Sequence, residues 1–345
     1  ATSLTATAFA LLLAASDGWS AVVRPVIDPT EYWAGVAGAR PAGRYLRTFI
    51  EHQKFYSVHV RGHPPGFMLL LFMLRWAGLG GPWFAAALSY VGVGVAVAAV
   101  AFTVWRVAGV EAMRRSLPFL ALAPFAVWQG TSADAFFAGV AATGVALLAL
   151  AMTSGRRRIE IAGALAGGAV LGLSGFLTFG TPTLVPLVAV LAWKTRRIAW
   201  AVPALVGVAL VVGAFAVNGY WWLDGLANTR HFYREGTAQF RPAFYFLFAN
   251  VAVLAIALGP VTLAGLTRLA RSPSARIVVG ALVCVLVADF SGLSKAETER
   301  IWLLYMPWLA VAAGFVTASE RGARCWLGIQ AAAAIVVQVA LVSKW

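Results

Sequence analysis

The chain is poor in charge: Asp, Glu, Lys and Arg make up 12% of its 345 residues, against 61% hydrophobic residues. Together with apolar runs that extend from near residue 3 to residue 342, this excludes a soluble fold. Period-two alternation is also missing, and the runs exceed the roughly 10 residues of a barrel strand. In lipid the remaining way to satisfy every backbone group is the helix, so an all-α polytopic membrane protein is expected. Cysteine is nearly absent. Cys284 lies inside an apolar run and Cys325 beside a basic loop, too far apart to form a metal or redox motif, and both read as structural. Acids are scarcer than bases, 13 against 27, for a net charge of +14. In a membrane protein that excess reports orientation rather than nucleic-acid binding.

What is present is a series of apolar runs. Eleven spans are expected, at 3–22, 83–105, 116–133, 134–153, 159–177, 179–193, 198–218, 242–266, 276–291, 301–318 and 323–342. Residues 3–16 are read as part of the first span rather than as a signal peptide. A further run, 67–81, is only about 22 Å long at about 1.5 Å per residue, short of the roughly 30 Å hydrocarbon core. It also carries Arg75.

Five breaks are strongly basic: Arg106 with Arg114 and Arg115; Arg156 to Arg158; Lys194, Arg196 and Arg197; Arg268, Arg271 and Arg276; Arg321 and Arg324. They alternate with the other loops from residue 83 onward, which places them in the cytoplasm by the positive-inside rule. If 67–81 does not cross, residues 23–66 fall on the external side with the breaks at 129–134, 219–241 and 292–300. All four histidines, His52, His59, His63 and His231, then lie there too. If it crosses, 23–66 joins the basic side. The first arrangement is preferred, with 67–81 a juxtamembrane or partly inserted helix. One transmembrane domain, 1–345, then divides into an external segment with juxtamembrane helices (23–82), a helical core (83–218), an external loop (219–241) and C-terminal helices (242–345).

The scarce polar residues gather at the expected external side. In "DPTEY", Asp28 can act as a general base or as a helix cap, with Glu31 one turn on; Asp17, nearer the first span, competes for the role of base. Residues 45–56 alternate apolar and charged residues at helical spacing, as in an interfacial helix. In "HVRGHPPGFM", Pro64 biases His63 away from the α region, and Pro65 and Gly66 set a turn before 67–81. That turn brings His63, and with it His59, to the surface of the membrane. Asp134 sits at the start of a span, where a helix cap explains a charge. The 218–242 stretch pairs Tyr220, Trp221 and Trp222 with Asp224, Arg230, His231, Tyr233, Arg234 and Arg241, either an interfacial belt or a clamp for phosphate and sugar. In "SGLSKAETER", Ser294 and Glu297 fit a capping box and Lys295 and Glu299 an i,i+4 pair. Arg300 opens an apolar run, where it must snorkel or find an anionic partner.

An acidic pair after the first span, a juxtamembrane segment ending in His-Pro-Pro, and an acid at the second external turn together resemble the GT-C superfamily of membrane glycosyltransferases. The nearest likeness is to its protein O-mannosyltransferase and aminoarabinose-transferase branch. The resemblance rests mainly on residues 1–155. Asp28 and Glu31 are separated by two residues rather than adjacent, Gly66 stands where that family has Leu, the Lys that follows there is absent, and no soluble recognition domain is attached.

The resemblance implies a sugar moved from a polyprenyl-phosphate donor to an acceptor hydroxyl on a glycan, lipid or protein, with inversion, at the external face of a cell inner or plasma membrane. It implies Asp28 as base, Glu31 and Asp134 assisting, His63 shaping the site, and Arg230, His231, Arg234, Lys295 or Arg300 at the donor phosphate. It demands no cofactor, although Asp28 and Asp134 can in principle share a divalent metal, as carboxylates do in the oligosaccharyltransferase branch. High Ala and Arg with few lysines fit a GC-rich bacterial genome, so mannose or arabinose is the expected sugar.

A multi-pass transporter or lipid flippase is the second reading. Gly167, Gly168, Gly172 and Gly175 would permit helix sliding, and Asp289 is its best candidate coupling residue. Against it stand the lack of an internal repeat and the few ionisable residues at mid-span.

Overall fold

Where apolar sequence runs on without a break, helices form that are long enough to cross a bilayer; where Pro, Gly or paired charges intervene, the chain turns or bends. A computed structural model describes residues 1–130, 132–195, 198–269, 273–316 and 319–341, all helix, turn or coil with no strand among them. Arg196, Arg197 and Arg271 of the basic breaks, and residues 131, 317, 318 and 342, lie outside the described residues.

The helices, in chain order, are α1 (Thr2–Ala14), α2 (Ala42–His52), α3 (Val58–Gly62), α4 (Gly66–Trp76), α5 (Pro82–Ala108) and α6 (Val110–Ala121). Then come α7 (Ala126–Gln129), α8 (Asp134–Thr153), α9 (Arg157–Gly175), α10 (Val185–Thr195), α11 (Ala201–Val217) and α12 (Trp222–Glu235). The last are α13 (Ala243–Leu266), α14 (Pro273–Phe290), α15 (Thr298–Ile301), α16 (Met306–Leu309) and α17 (Glu320–Ala340). Among the described residues five, α5, α8, α13, α14 and α17, are long and apolar enough to span, and α11 with α12 makes a sixth if that pair, bent by 74°, is one span. The chain is a multi-pass membrane protein.

Four expected spans take a different form. The 3–22 run holds a short helix followed by 3-10 turns, and 179–193 is a 3-10 turn leading into α10. The 116–133 run is broken between α6 and α7 at Pro124, which has no N–H to donate. The 301–318 run is a chain of short α and 3-10 pieces, yet Trp302, Leu303, Met306, Trp308 and Leu309 are almost wholly buried. Its hydrophobicity serves the protein interior, where irregular backbone is tolerated, and not contact with lipid. The 219–241 stretch, read as a loop, is mostly the helix α12. Charged and aromatic residues hid it, because its apolar stripe is narrow.

The frame that carries the site is α5 packed on α8, α8 on α9, and α9 on α11. Backbones touch at the first crossing: a Cβ on Gly92 would lie 2.4 Å from the Ala135 carbonyl oxygen. This fixes the depth of the first turn of α8.

At one end of the frame, α2, α3, α4 and α12 form a cap held by an aromatic cluster that includes Tyr45, Phe49, Phe67, Phe72, Phe176 and Tyr220. α4 has 11 residues, about 16 Å at about 1.5 Å per residue, too short to cross. Gln53, fully buried, joins the cap's parts: its amide donates to the Arg61 carbonyl (2.7 Å) and the Thr229 hydroxyl (2.8 Å), and accepts from Asn228 (2.9 Å). The turn before α4 docks on the end of α9 through the Gly66 N–H, which donates to the Phe176 carbonyl at 2.9 Å. A Cβ at Gly66 would sit 2.4 Å from that oxygen, so the Leu of the resembling family has no room here.

Candidate active site

The segment after the first helix turns inward at Asp28. Its Oδ1 accepts the Thr30 N–H at 2.8 Å and the Thr30 hydroxyl at 2.5 Å, and its carbonyl accepts the Glu31 N–H at 2.9 Å. This is the helix-cap chemistry open to an Asp-Pro-Thr sequence. Its effect is to aim the next acid, Glu31, into the protein.

His59 comes from α3, whose backbone is tied to the same loop by the His59 N–H donating to the Thr30 carbonyl at 3.1 Å. His63 follows in extended conformation (φ −130°, ψ 160°), as Pro64 requires. Its Nδ1 lies 2.9 Å from the His59 carbonyl, so that nitrogen carries the proton, and its Nε2 faces Asp134 Oδ1 at 4.0 Å. Tyr32 packs edge-on against His63 and Phe67.

Asp134 is the first residue of α8 and not its cap. Ser132, two residues earlier, brackets it: its hydroxyl accepts the Asp134 N–H at 3.1 Å and donates to Asp134 Oδ2 at 2.6 Å. The carboxylate is thereby turned toward the centre of the cluster.

Arg300 arrives from the far end of the chain. Its Nε donates to Asp134 Oδ2 at 3.1 Å and its Nη1 to Glu31 Oε1 at 3.1 Å, while Nη2 lies 3.3 Å from His59 Nδ1. His59 Nε2 is 3.2 Å from Glu31 Oε1. One tautomer satisfies both contacts: Nδ1 accepts from Arg300 and Nε2–H donates to Glu31. Arg300 is 2% exposed, Glu31 5%, and Asp134 and His59 7% each. The anionic partner that the sequence demanded for Arg300 is therefore a pair of acids.

Two carboxylates share one guanidinium in an almost wholly buried site. Burial pushes the Glu31 carboxyl up to about 7, with Arg300 opposing and Asp134 reinforcing the shift. Burial, and then Arg300, pull His59 down to about 3, and burial also lowers His63. Both imidazoles are neutral near pH 7. Burial works against the charge of Arg300, but Asp134 and Glu31 outweigh it and hold the guanidinium protonated. The arrangement therefore offers one carboxyl poised to gain or lose a proton at neutral pH. Beside Glu31 a narrow cleft, with room for about 20 Å³, is lined by Tyr32, Trp33, Phe67, Leu71 and Ser89.

Among the described residues, no group of three or more His, Cys, Asp or Glu side chains is placed to hold a metal ion. The inward faces of Glu31 and Asp134 engage the Arg300 guanidinium.

Other candidates lie apart from this cluster. Arg230, His231 and Arg234 sit on exposed turns of α12, where His231 pairs with Glu235 at 3.3 Å. Lys295 is half-buried, its N–H donating to the Tyr233 hydroxyl at 2.8 Å and its ammonium 3.4 Å from the Ala238 carbonyl. The capping box at Ser294 and Glu297 does not form: Glu297 stands at the N-terminus of α15 with left-handed φ and no side-chain cap bond. Asp17 is exposed at the end of a 3-10 turn. His59 is the site residue that sequence reasoning placed only at the membrane surface. Its i,i+4 spacing to His63 was the available signal.

No family model matches the sequence, and no curated protein matches it. Solved structures do. ArnT from Cupriavidus metallidurans bound to undecaprenyl phosphate superposes with a TM-score of 0.51 at 16% identity, over 87% of this chain and 60% of ArnT. The apo state of the same protein gives 0.51 at 17% identity, over 92% and 62%. The Archaeoglobus fulgidus oligosaccharyltransferase complex with Zn and sulfate gives 0.56 at 15% identity, over 99% of this chain and 51% of that one. The all-α polytopic GT-C fold expected from the sequence is the fold of this chain. The chain spans only about half to three fifths of the length of these structures.

Proposed function

We propose that the chain is a membrane glycosyltransferase that moves a sugar from a polyprenyl-phosphate donor to an acceptor hydroxyl, with inversion, at the extracytoplasmic face, and that Glu31 rather than Asp28 takes the acceptor's proton. The observation that carries this reading is the meeting of Glu31, Asp134, His59 and Arg300 in one buried cluster on a GT-C fold. ArnT, solved with undecaprenyl phosphate, supports the choice of lipid carrier. Mannose and arabinose are the sugars to try first.

In this mechanism the acceptor oxygen attacks the anomeric carbon as its proton passes to the Glu31 carboxylate. The bond from that carbon to the phosphate oxygen breaks, and the lipid phosphate leaves with the electron pair. A carboxyl near 7 is ionised in a useful fraction at neutral pH and still basic enough to accept the proton. His59 and Arg300 hold it in place. Asp134 anchors Arg300 and helps bind the acceptor, His63 shapes the wall beside it, and Lys295, with Arg230, Arg234 and His231 on α12, neutralises the departing phosphate.

The test is transfer from radiolabelled polyprenyl-phosphate mannose and arabinose in proteoliposomes, for wild type, Glu31→Gln, Asp28→Asn and Asp17→Asn. Loss of about 10²-fold or more in Glu31→Gln, with Asp28→Asn and Asp17→Asn active, is the expected pattern. The reverse pattern moves the base to Asp28 or Asp17. No transfer by wild type from either donor rejects this donor reading.

A further inference from the structure

Asn250 is a polar residue in the otherwise apolar first half of α13, and it is 2% exposed. A buried amide inside a spanning helix needs partners and a reason. Its partners are unusual: Nδ2 donates to Asp289 Oδ1 at 2.8 Å and to the Ser294 carbonyl at 2.7 Å, and Oδ1 accepts the Ala296 N–H at 3.4 Å. Asp289 itself comes from the last turn of α14. Two spanning helices thus use their buried polar side chains to grip one short turn.

The same turn is gripped from the other side. The Lys295 N–H donates to the Tyr233 hydroxyl of α12 at 2.8 Å, and the Lys295 carbonyl accepts from Arg241 Nη1 at 2.6 Å. Arg241 also lies 3.8 Å from Glu297. At the centre, Ala296 and Glu297 have φ of +73° and +59°, the only described residues other than glycine with positive φ. Residues with a Cβ avoid that region, and such outliers persist only where the surroundings hold them. Three residues further on is Arg300.

We infer that Asn250, with Asp289 and Tyr233, is a positioning residue for Arg300: it holds the left-handed turn at 296–297 so that the guanidinium is delivered between Glu31 and Asp134. Released, the turn relaxes to ordinary negative φ, the start of α15 shifts, and Arg300 withdraws. Its part in transfer rests on the proposed function; its part in placing Arg300 does not.

The test needs no substrate. The full chain in detergent is treated with phenylglyoxal, which modifies accessible arginines, and the modification at each position is read by peptide mass spectrometry. In wild type Arg300 stays unmodified while the exposed Arg230 reacts. Asn250→Ala is expected to raise Arg300 modification at least tenfold, and Tyr233→Phe, a milder change at a half-buried site, severalfold. Gln330→Ala serves as the comparison, because it removes another fully buried amide, one that braces α13 at Val261 and Leu258 away from the turn. Arg300 should stay protected in it. Arg300 protected in both Asn250→Ala and Tyr233→Phe, or exposed equally in Gln330→Ala, overturns the inference. If Arg300 becomes exposed while wild type transfers neither sugar, the positioning role stands and only the proposed reaction falls.

Discussion

Arg300 and Asp134, 166 residues apart in sequence, meet at 3.1 Å between Nε and Oδ2, and the same guanidinium reaches Glu31 at 3.1 Å. A cation held this way is dangerous to remove. Arg300→Met leaves two buried carboxyls facing each other and should destabilise the protein by about 3 to 5 kcal/mol, the usual cost of breaking a buried pair from one side. Arg300→Lys keeps the charge but loses the fork that serves two carboxylates at once, and should fall between wild type and Arg300→Met. Thermal unfolding in detergent measures both.

Glu31 faces Arg300 from α15, Asp134 from α8 and His59 from α3, with Asp28 and Tyr32 flanking it. Transfer should therefore rise with pH through a limb near 7 as Glu31 ionises. Arg300 favours the ionised form, so Arg300→Gln moves that limb to higher pH in whatever activity remains. The pH dependence of kcat/KM checks this. Stability follows with the opposite sense: the raised folded value gives stability that is full below the unfolded value of about 4.5 and lost as pH climbs through about 7. Glu31→Gln stays neutral throughout, so its melting temperature relative to wild type should climb between about pH 5 and 8. A difference that does not vary with pH would contradict the raised value.

The tight crossing of α5 on α8 sets where Asp134 sits. Gly92→Ala pushes a methyl toward the Ala135 carbonyl, one residue from Asp134. The expected cost is about 1 to 3 kcal/mol from overpacking. Any transfer activity should drop more than it does in Gly213→Ala, where no heavy atom lies within 4 Å of the added carbon.

Gly66→Leu restores the residue of the resembling family. Here it should destabilise rather than help, because the new side chain meets the Phe176 carbonyl and breaks the 2.9 Å hydrogen bond that docks α4 on α9. Circular dichroism melts of Gly66→Leu beside Gly62→Leu, where the space is open, separate this contact from a general effect of leucine.

Orientation is open to direct measurement. With Cys284 and the exposed Cys325 both replaced, single cysteines at Phe55 and Arg157, both exposed, should label from opposite sides of the membrane. Labelling from one side would mean that α4 takes part in a crossing.

Much of the site was legible because charge is so rare in this sequence. Glu31, His63, Asp134 and Arg300 stood out at the ends of apolar runs, and each lies in or against the cluster. What the sequence could not carry was the partner of each. Arg300 demanded an anion, but several acids were available, and only the fold chooses Glu31 and Asp134. The resemblance implied Asp28 as base; in the structure its carboxylate accepts the Thr30 N–H and hydroxyl, and it is the next acid, Glu31, that lies in the buried cluster. The 301–318 run looked like a span because interior and lipid-facing segments are equally apolar. Pro307 and the clustered aromatics were the local hints that it is broken.

The separation of 269 positions between Glu31 and Arg300 imposes an order of events in the cell. A ribosome adding about 5 to 20 residues per second delivers both acids to the membrane well before the guanidinium that joins them. Throughout that interval the half-built protein carries an unmatched acidic pair. A chain that stalls or is cut before α15 keeps that pair unmatched, with two acids facing a site built for a cation.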